Sequence, residues 1–191
     1  MRSTRLIALA AVVAALVLVS QAPVTGQDKG DKVTCQIIYV PTPQPVVDKM
    51  LDMAKVTDKD IVFDLGCGDG RIVASAAKKY GARGVGVDID PPRIKDSNET
   101  VKKFGVEKLV EIRQGDALKV KDLEKATVIA LYMLPEFMEK LEKQVNRLKP
   151  GTRIVAHDYP FPNWKADATV EFKGPDRTHT LYMWTVKEKK E

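Results

Sequence analysis

The chain has 191 residues, 44% hydrophobic and 30% charged, which fits one globular domain and excludes a disordered or fibrous chain. Its two cysteines, Cys35 and Cys67, exclude a disulfide framework and a cysteine-rich metal site; they read as two separate small residues, and no metal is expected. The net charge is +5, of which Arg2 and Arg5 carry two, leaving +3; Lys102, Lys103, Lys140 and Lys143 are interspersed with acids as on solvated helix faces, so no nucleic-acid partner is expected.

Arg2 and Arg5 precede the unbroken apolar run Leu6–Val19, and small residues follow up to Gly26. That layout predicts a secretory signal over residues 1–26, or an uncleaved membrane anchor. The run is short for a bilayer span, which needs about 20 residues. The body of the protein is then expected beyond the membrane, exported or anchored. Residues 27–36 read as a polar linker, 37–186 as the folded domain and 187–191 as a charged tail.

Thr42 lies between Pro41 and Pro43, in extended backbone. Apolar residues at helical spacing predict a helix over Pro45–Ala54. Strands and helices then alternate. Ile61–Phe63 reads as a strand ending at Asp64. The turn Gly66–Gly70 leads into a helix over Arg71–Tyr80. Gly84–Val87 is a strand ending at Asp88, and Pro91 opens a helix to about Phe104. Leu109–Arg113 and Val128–Leu131 are strands, Pro135 opens another helix, and Arg153–Ala156 is a fifth strand. Thr169–Phe172 and His179–Val186 flank Gly174-Pro175-Asp176 as a hairpin. The alternation predicts an α/β fold, a mostly parallel sheet with helices on both faces and a C-terminal antiparallel hairpin.

The segment Asp64-Leu65-Gly66-Cys67-Gly68-Asp69-Gly70-Arg71 follows a strand and opens a helix, the setting of a nucleotide-type loop. A pyrophosphate would be repelled by Asp64 and Asp69, whereas the sulfonium and ammonium groups of S-adenosylmethionine would be attracted. Asp88, roughly 20 residues downstream, is placed to accept from ribose hydroxyls, or to cap the next helix. Ile89 is a candidate to pack on the adenine and Asp116 to accept from its amino group. The candidate cofactor-binding set is Thr42, Asp64, Gly66, Gly68, Asp69, Gly70, Asp88, Ile89 and Asp116. Tyr132–Pro135 and His157–Trp164 follow strands at the same edge, where open α/β sheets bind ligands.

Asp64–Arg71, Gly86–Asp88 and Gly115-Asp116 resemble the cofactor motifs of class I S-adenosylmethionine-dependent methyltransferases. Tyr39–Pro43, Asp64–Val73 and Pro160–Trp164 resemble, more narrowly, the ATP synthase c-subunit lysine N-methyltransferase family and its prokaryotic relatives. The resemblance implies a Rossmann-like, doubly wound, seven-stranded sheet and transfer of methyl to a lysine of a protein substrate. His157-Asp158 departs from the mitochondrial pattern, so a different substrate is open.

A lysine must lose its proton before it accepts methyl, which costs about 4–5 kcal/mol at neutral pH. The catalytic candidates are Tyr132, Pro135 and Asp158: carbonyls around Leu134-Pro135, with Tyr132 or Asp158, to hold the amine, and Asp158 or His157 to pass on its proton. His157 reads equally as a satisfied histidine at a strand end. Phe161 and Trp164 are either a substrate rim or a lid folded on the core. A small-molecule methyltransferase and an inactive exported binding protein on the same fold remain open alternatives. An exported enzyme would also need S-adenosylmethionine outside the cytosol where it is made.

Overall fold

The computed structural model describes residues 39–188. The leader 1–26, the linker 27–36, Cys35 and the end of the tail lie outside the described residues. Among the described residues no helix is long and apolar enough to cross a membrane.

The chain builds α1 (Gln44–Met53), β1 (Ile61–Leu65), α2 (Arg71–Tyr80), β2 (Arg83–Asp88), α3 (Pro91–Phe104), β3 (Val110–Gln114), β4 (Val128–Leu131), α4 (Pro135–Val145), β5 (Arg153–His157), β6 (Ala168–Lys173) and β7 (Thr178–Thr185). Two short 3₁₀ turns, Ala117–Lys119 and Leu123–Lys125, join β3 to β4. The seven strands form one sheet in the order β3-β2-β1-β4-β5-β7-β6. The first five run parallel; β7 pairs antiparallel with both β5 and β6. The expected doubly wound sheet with its antiparallel hairpin is therefore present, with the last strand inserted inside the first member of the hairpin.

Alternation along each strand divides the core into two layers. Val62, Val128, Ala130 and Val155 face α1 and α2, packing on Val46, Val47, Met50 and Ile72. Their neighbours Phe63, Ile129, Leu131 and Ile154 face the other way, onto Met138, Leu141 and Val145 of α4. Each such aliphatic side chain contributes about 1.5–3 kcal/mol when fully buried. Proline stands in the first turn of α1, α3 and α4, where its missing N–H costs nothing. α2 and α3 both stop at left-handed glycines, Gly81 and Gly105.

At the amino edge of the sheet, buried Asp60 accepts from Thr127 Oγ1 (2.7 Å) and the Thr57 amide (2.8 Å) and pairs with Arg153. This ties β1 to β5 at the end away from the glycine loop. At the opposite, carboxyl edge stand the end of β1, the loop before α2, the end of β2 and the turns after β4 and β5. The switch point falls between β1 and β4, where the connections leave in opposite directions.

Candidate active site

β1 runs on to Leu65, one residue past the Asp64 at which its sequence pattern ended, so Asp64 lies inside the strand and is 2% exposed. Its Oδ2 has no hydrogen-bond partner, alone among buried side-chain polar atoms of the described residues. Burial, reinforced by the charges of Asp88 and Asp69, pushes its carboxyl up to about 8. A buried carboxylate with a free oxygen is the group a cationic ligand would satisfy.

The glycine loop turns back through left-handed backbone. Gly66 has φ +84°, and a Cβ there would lie 2.4 Å from Met133 Sδ. Gly68 has φ +55°, and a Cβ there would lie 2.2 Å from the Tyr39 ring. Only glycine meets both demands. Asp88 braces the loop: its Oδ2 accepts from the Gly68 amide at 2.8 Å and its Oδ1 from the Asp90 amide at 3.0 Å. Asp90, not Asp88, stands at the N-cap of α3 and makes no side-chain cap bond. Each Asp88 oxygen keeps a lone pair for a further donor. Next to it Ile89 is 70% exposed, an apolar side chain in solvent at the ligand edge.

Three expected residues are more engaged than the sequence suggested. Asp69 grips the Arg71 guanidinium, with Nε 2.9 Å from Oδ1 and Nη2 2.6 Å from Oδ2. Burial works against its charge, but the Arg71 hydrogen bonds and charge hold its carboxyl below the usual range. The acids left to meet a cation are thus Asp88 and Asp64, the latter once it gives up its proton. Asp116 accepts from the Leu118 amide at 2.9 Å and pairs with Lys119 at 3.1 Å, capping the first 3₁₀ turn. Thr42 is 4% exposed; its carbonyl accepts from Arg71 Nη1 at 2.9 Å and its hydroxyl lies 3.1 Å from His157 Nδ1.

Across the switch point, the Tyr132 ring lies over His157 with centroids 4.0 Å apart. Pro135 opens α4 and is exposed beside Leu134, 45% exposed. Asp158 adopts left-handed backbone, φ +60°, unusual for a residue with a Cβ. Its Oδ1 accepts from the Thr180 amide at 3.1 Å and its carboxylate pairs with Arg177. Burial would raise its carboxyl, but Arg177 and the Thr180 amide hold it down. His157 is 1% exposed, and burial pushes its imidazole down to about 4, so it is neutral at pH 7. Ligand atoms of His157, Asp158 and His179 lie within 4.8 Å of one another; the hydrogen bond between the two rings and the 3.3 Å approach of Asp158 Oδ2 to His157 Nε2 account for that proximity.

Phe161 and Trp164 are folded onto the core. Phe161 is 3% exposed and meets Trp184 edge-on at 4.8 Å, and Trp184 Nε1 donates to the Trp164 carbonyl at 2.7 Å. Glu142 of α4 fixes the same turn by accepting from the Asn163 amide at 3.1 Å.

Sequence reasoning missed Tyr39, Arg71, Ser97 and Met133 as shapers of the loop. Ser97, fully buried in α3, donates to the Gly68 carbonyl at 2.7 Å. Nothing in the sequence marks it, because its partner is distant along the chain. It also missed Arg177 and His179, which reach Asp158 and His157 from the hairpin. A cavity of about 450 Å³ beside Phe63, Glu111 and Arg113 lies away from the glycine loop, and Arg113 there pairs with Glu111 and Asp122.

Residues 64–168 match the ANTKMT methyltransferase domain. A protein-lysine N-methyltransferase of Saccharolobus islandicus (strain REY15A) is 39% identical over 80% of this chain and 95% of its own. The lysine N-methyltransferase of the ATP synthase c-subunit from Xenopus laevis is 34% identical over 68% of this chain, but the match takes in only 56% of that protein. The crystal structure of an RNA methyltransferase from Salinibacter ruber, in complex with S-adenosyl-L-homocysteine, superposes with a TM-score of 0.74. It is 46% identical, covering 80% of this chain and 97% of that one.

Proposed function

The chain belongs to the ANTKMT methyltransferase-domain family and is an S-adenosylmethionine-dependent methyltransferase, and from that premise we propose that its acceptor is the side-chain amine of a protein lysine. When bound, S-adenosylmethionine supplies an electrophilic methyl group on a positively charged sulfur. The residues present fit it: Asp64 offers an unpartnered buried oxygen, Asp88 keeps acceptor capacity, and the glycine loop turns back at the carboxyl edge through left-handed backbone with no Cβ at Gly66, Gly68 or Gly70. Asp64, Gly66, Gly68, Gly70, Asp88 and Ile89 would hold it, with Asp69 acting through Arg71.

The observation that carries the amine reading is the fixed carboxylate acceptor at the end of β5. Asp158, kept ionised by Arg177, stands beside Tyr132 where β4 and β5 end. A carboxylate held in place and charge-balanced by a guanidinium orients an amine by accepting its hydrogen bond rather than by taking its proton. Deprotonation then falls to solvent, aided by partial burial of the amine. The exposed Leu134 and Pro135 leave this edge open, which suits a side chain presented by a large substrate. The similarity to the Saccharolobus enzyme supports the same acceptor.

The test is transfer of labelled methyl from S-adenosylmethionine to lysine-bearing proteins and peptides, a panel of small amines, and RNA. Mass spectrometry locating the added methyl on lysine is the expected result. Label on RNA alone would move the assignment to the reading favoured by the similar Salinibacter enzyme. Label on free amines alone would make it a small-molecule enzyme. Cofactor binding with no transfer to any class would leave a binding protein.

From the apolar run behind Arg2 and Arg5 we further propose that residues 1–26 direct export or anchor the chain. A C-terminal alkaline phosphatase fusion tests this; activity is expected, and a silent fusion rules export out.

A further inference from the structure

The chain has two histidines, and the fold sets them against each other. His157 ends β5 and His179 lies in β7; each is 1% exposed. His157 Nε2 is 2.8 Å from His179 Nδ1. His179 Nε2 is 3.0 Å from Asp176 Oδ1, and His157 Nδ1 is 3.1 Å from Thr42 Oγ1. These contacts join Asp176, His179, His157 and Thr42 in one line, from the hairpin turn to the segment before α1.

The direction of every bond follows from its surface end. The Asp176 carboxylate can only accept, so His179 Nε2 donates to it. His179 Nδ1 is then a lone pair, so His157 Nε2 donates. His157 Nδ1 accepts in turn, and the Thr42 hydroxyl donates. The exposed Asp176 carboxylate sets the His179 tautomer and, together with Asp158 Oδ2 at 3.3 Å from His157 Nε2, the His157 tautomer and the orientation of the Thr42 hydroxyl.

The far end of the line reaches the glycine loop. Residues 39–43 form no helix or strand, so side-chain contacts set their place. The Thr42 carbonyl holds Arg71, and Arg71 holds Asp69. Tyr39 covers Gly68, accepts from the Asp69 amide at 3.3 Å, and lies under the Arg93 guanidinium at 4.6 Å. Losing the Thr42–His157 bond would free this segment from β5, leaving it held by the start of α1, by Arg93 and by the loop it shapes.

We propose that His157 and His179 are positioning residues for the cofactor, acting through Thr42 to seat residues 39–43 on the glycine loop. The inference rests on the cofactor site described above. It makes the C-terminal hairpin, remote in sequence, part of the machinery that sets cofactor affinity.

The test is calorimetric titration of the full chain with S-adenosylhomocysteine, for wild type, Thr42→Val, His179→Phe and the double variant. Each single substitution removes one link; Thr42→Val is isosteric, and His179→Phe keeps an aromatic ring in place of the imidazole. A lost buried hydrogen bond corresponds to roughly a tenfold change in an equilibrium constant. Each single variant is expected to bind about tenfold more weakly, and the double variant no more weakly than either, because the line is already broken. Asp176→Asn, at an exposed position, reports on the line even where a buried substitution impairs folding; a several-fold weakening is expected. Affinities of Thr42→Val and Asp176→Asn within twofold of wild type, with only the melting temperature lowered, would reduce the pair to a structural role and overturn the proposal. So would losses that multiply in the double variant. Wild-type protein that binds no S-adenosylhomocysteine would remove the cofactor site itself, a distinct failure.

Discussion

Asp64 is the residue on which the cofactor site turns, and its environment makes binding depend on protons. Its folded carboxyl is raised to about 8, from an ordinary value of 3.8. At pH 7 the ligand-free protein therefore holds a proton there. In the absence of ligand, stability declines as pH rises from about 4 towards 8, because the unfolded chain gives up that proton first. A cation against the free oxygen reverses the preference. Cofactor binding at pH 7 is expected to release close to one proton, and at pH 9 almost none. Calorimetry in buffers of different ionisation enthalpy measures the number directly. Asp64→Asn is expected to abolish the release and weaken binding by at least tenfold; undiminished release in that variant would place the titrating group elsewhere. The carboxylate–glycine pattern made Asp64 legible in the sequence. Its lack of a partner was not, since Asp69 looked equivalent until Arg71 was seen to hold it.

Two elements hold the acceptor side in shape. The first is α4, whose Glu142 is 7% exposed and accepts from the Asn163 amide. Hydrogen bonds to charged groups contribute about 1.5–3 kcal/mol. Glu142→Ala is expected to cost about 2 kcal/mol in urea unfolding and to speed proteolysis within residues 158–167; unchanged cleavage would mean the turn is held by Phe161 and Trp164 alone. The second is the end of β5. His157 titrates near 6.5 in the unfolded chain and near 4 when folded. Its contribution to stability is complete above about pH 6.5 and is lost as pH falls towards 4, amounting to about 3 kcal/mol. Urea unfolding at pH 7 and pH 4.5 is expected to show this loss, with a shallower pH dependence for His157→Gln. At this scale the sequence placed most elements within a residue or two. It carried neither β1 to Leu65 nor β5 to His157, because a polar side chain ends an apolar run whether or not the backbone ladder continues.

Over the whole molecule, strand order decides which surfaces meet. Insertion of β7 between β5 and β6 puts Trp184 at the centre of the layer formed by α4, Phe161 and Trp164, with no exposed surface. Trp184→Ala is expected to cost about 3–5 kcal/mol, among the largest single losses. A melting temperature within a few degrees of wild type would show that this layer carries little of the stability. The same insertion brings Thr178–Thr180 beside the end of β5, so the hairpin supplies Arg177 and His179 to a site whose other residues come from the first five strands.

The sequence by itself determined the alternation of strands and helices, the glycine loop with its acids, and hence the fold class and the cofactor. These are local signals, since period, turn chemistry and a carboxylate at a strand end are each written in a few consecutive residues. Only the tertiary structure decided that Asp64 is unpartnered, that Asp69 is neutralised, that Phe161 and Trp164 are core, and that the two histidines meet beneath Tyr132. Each of these depends on a partner that the strand order, not the local pattern, brings into contact. Burial and pairing are properties of three-dimensional neighbours, and they, rather than residue type, set which charges remain free to act.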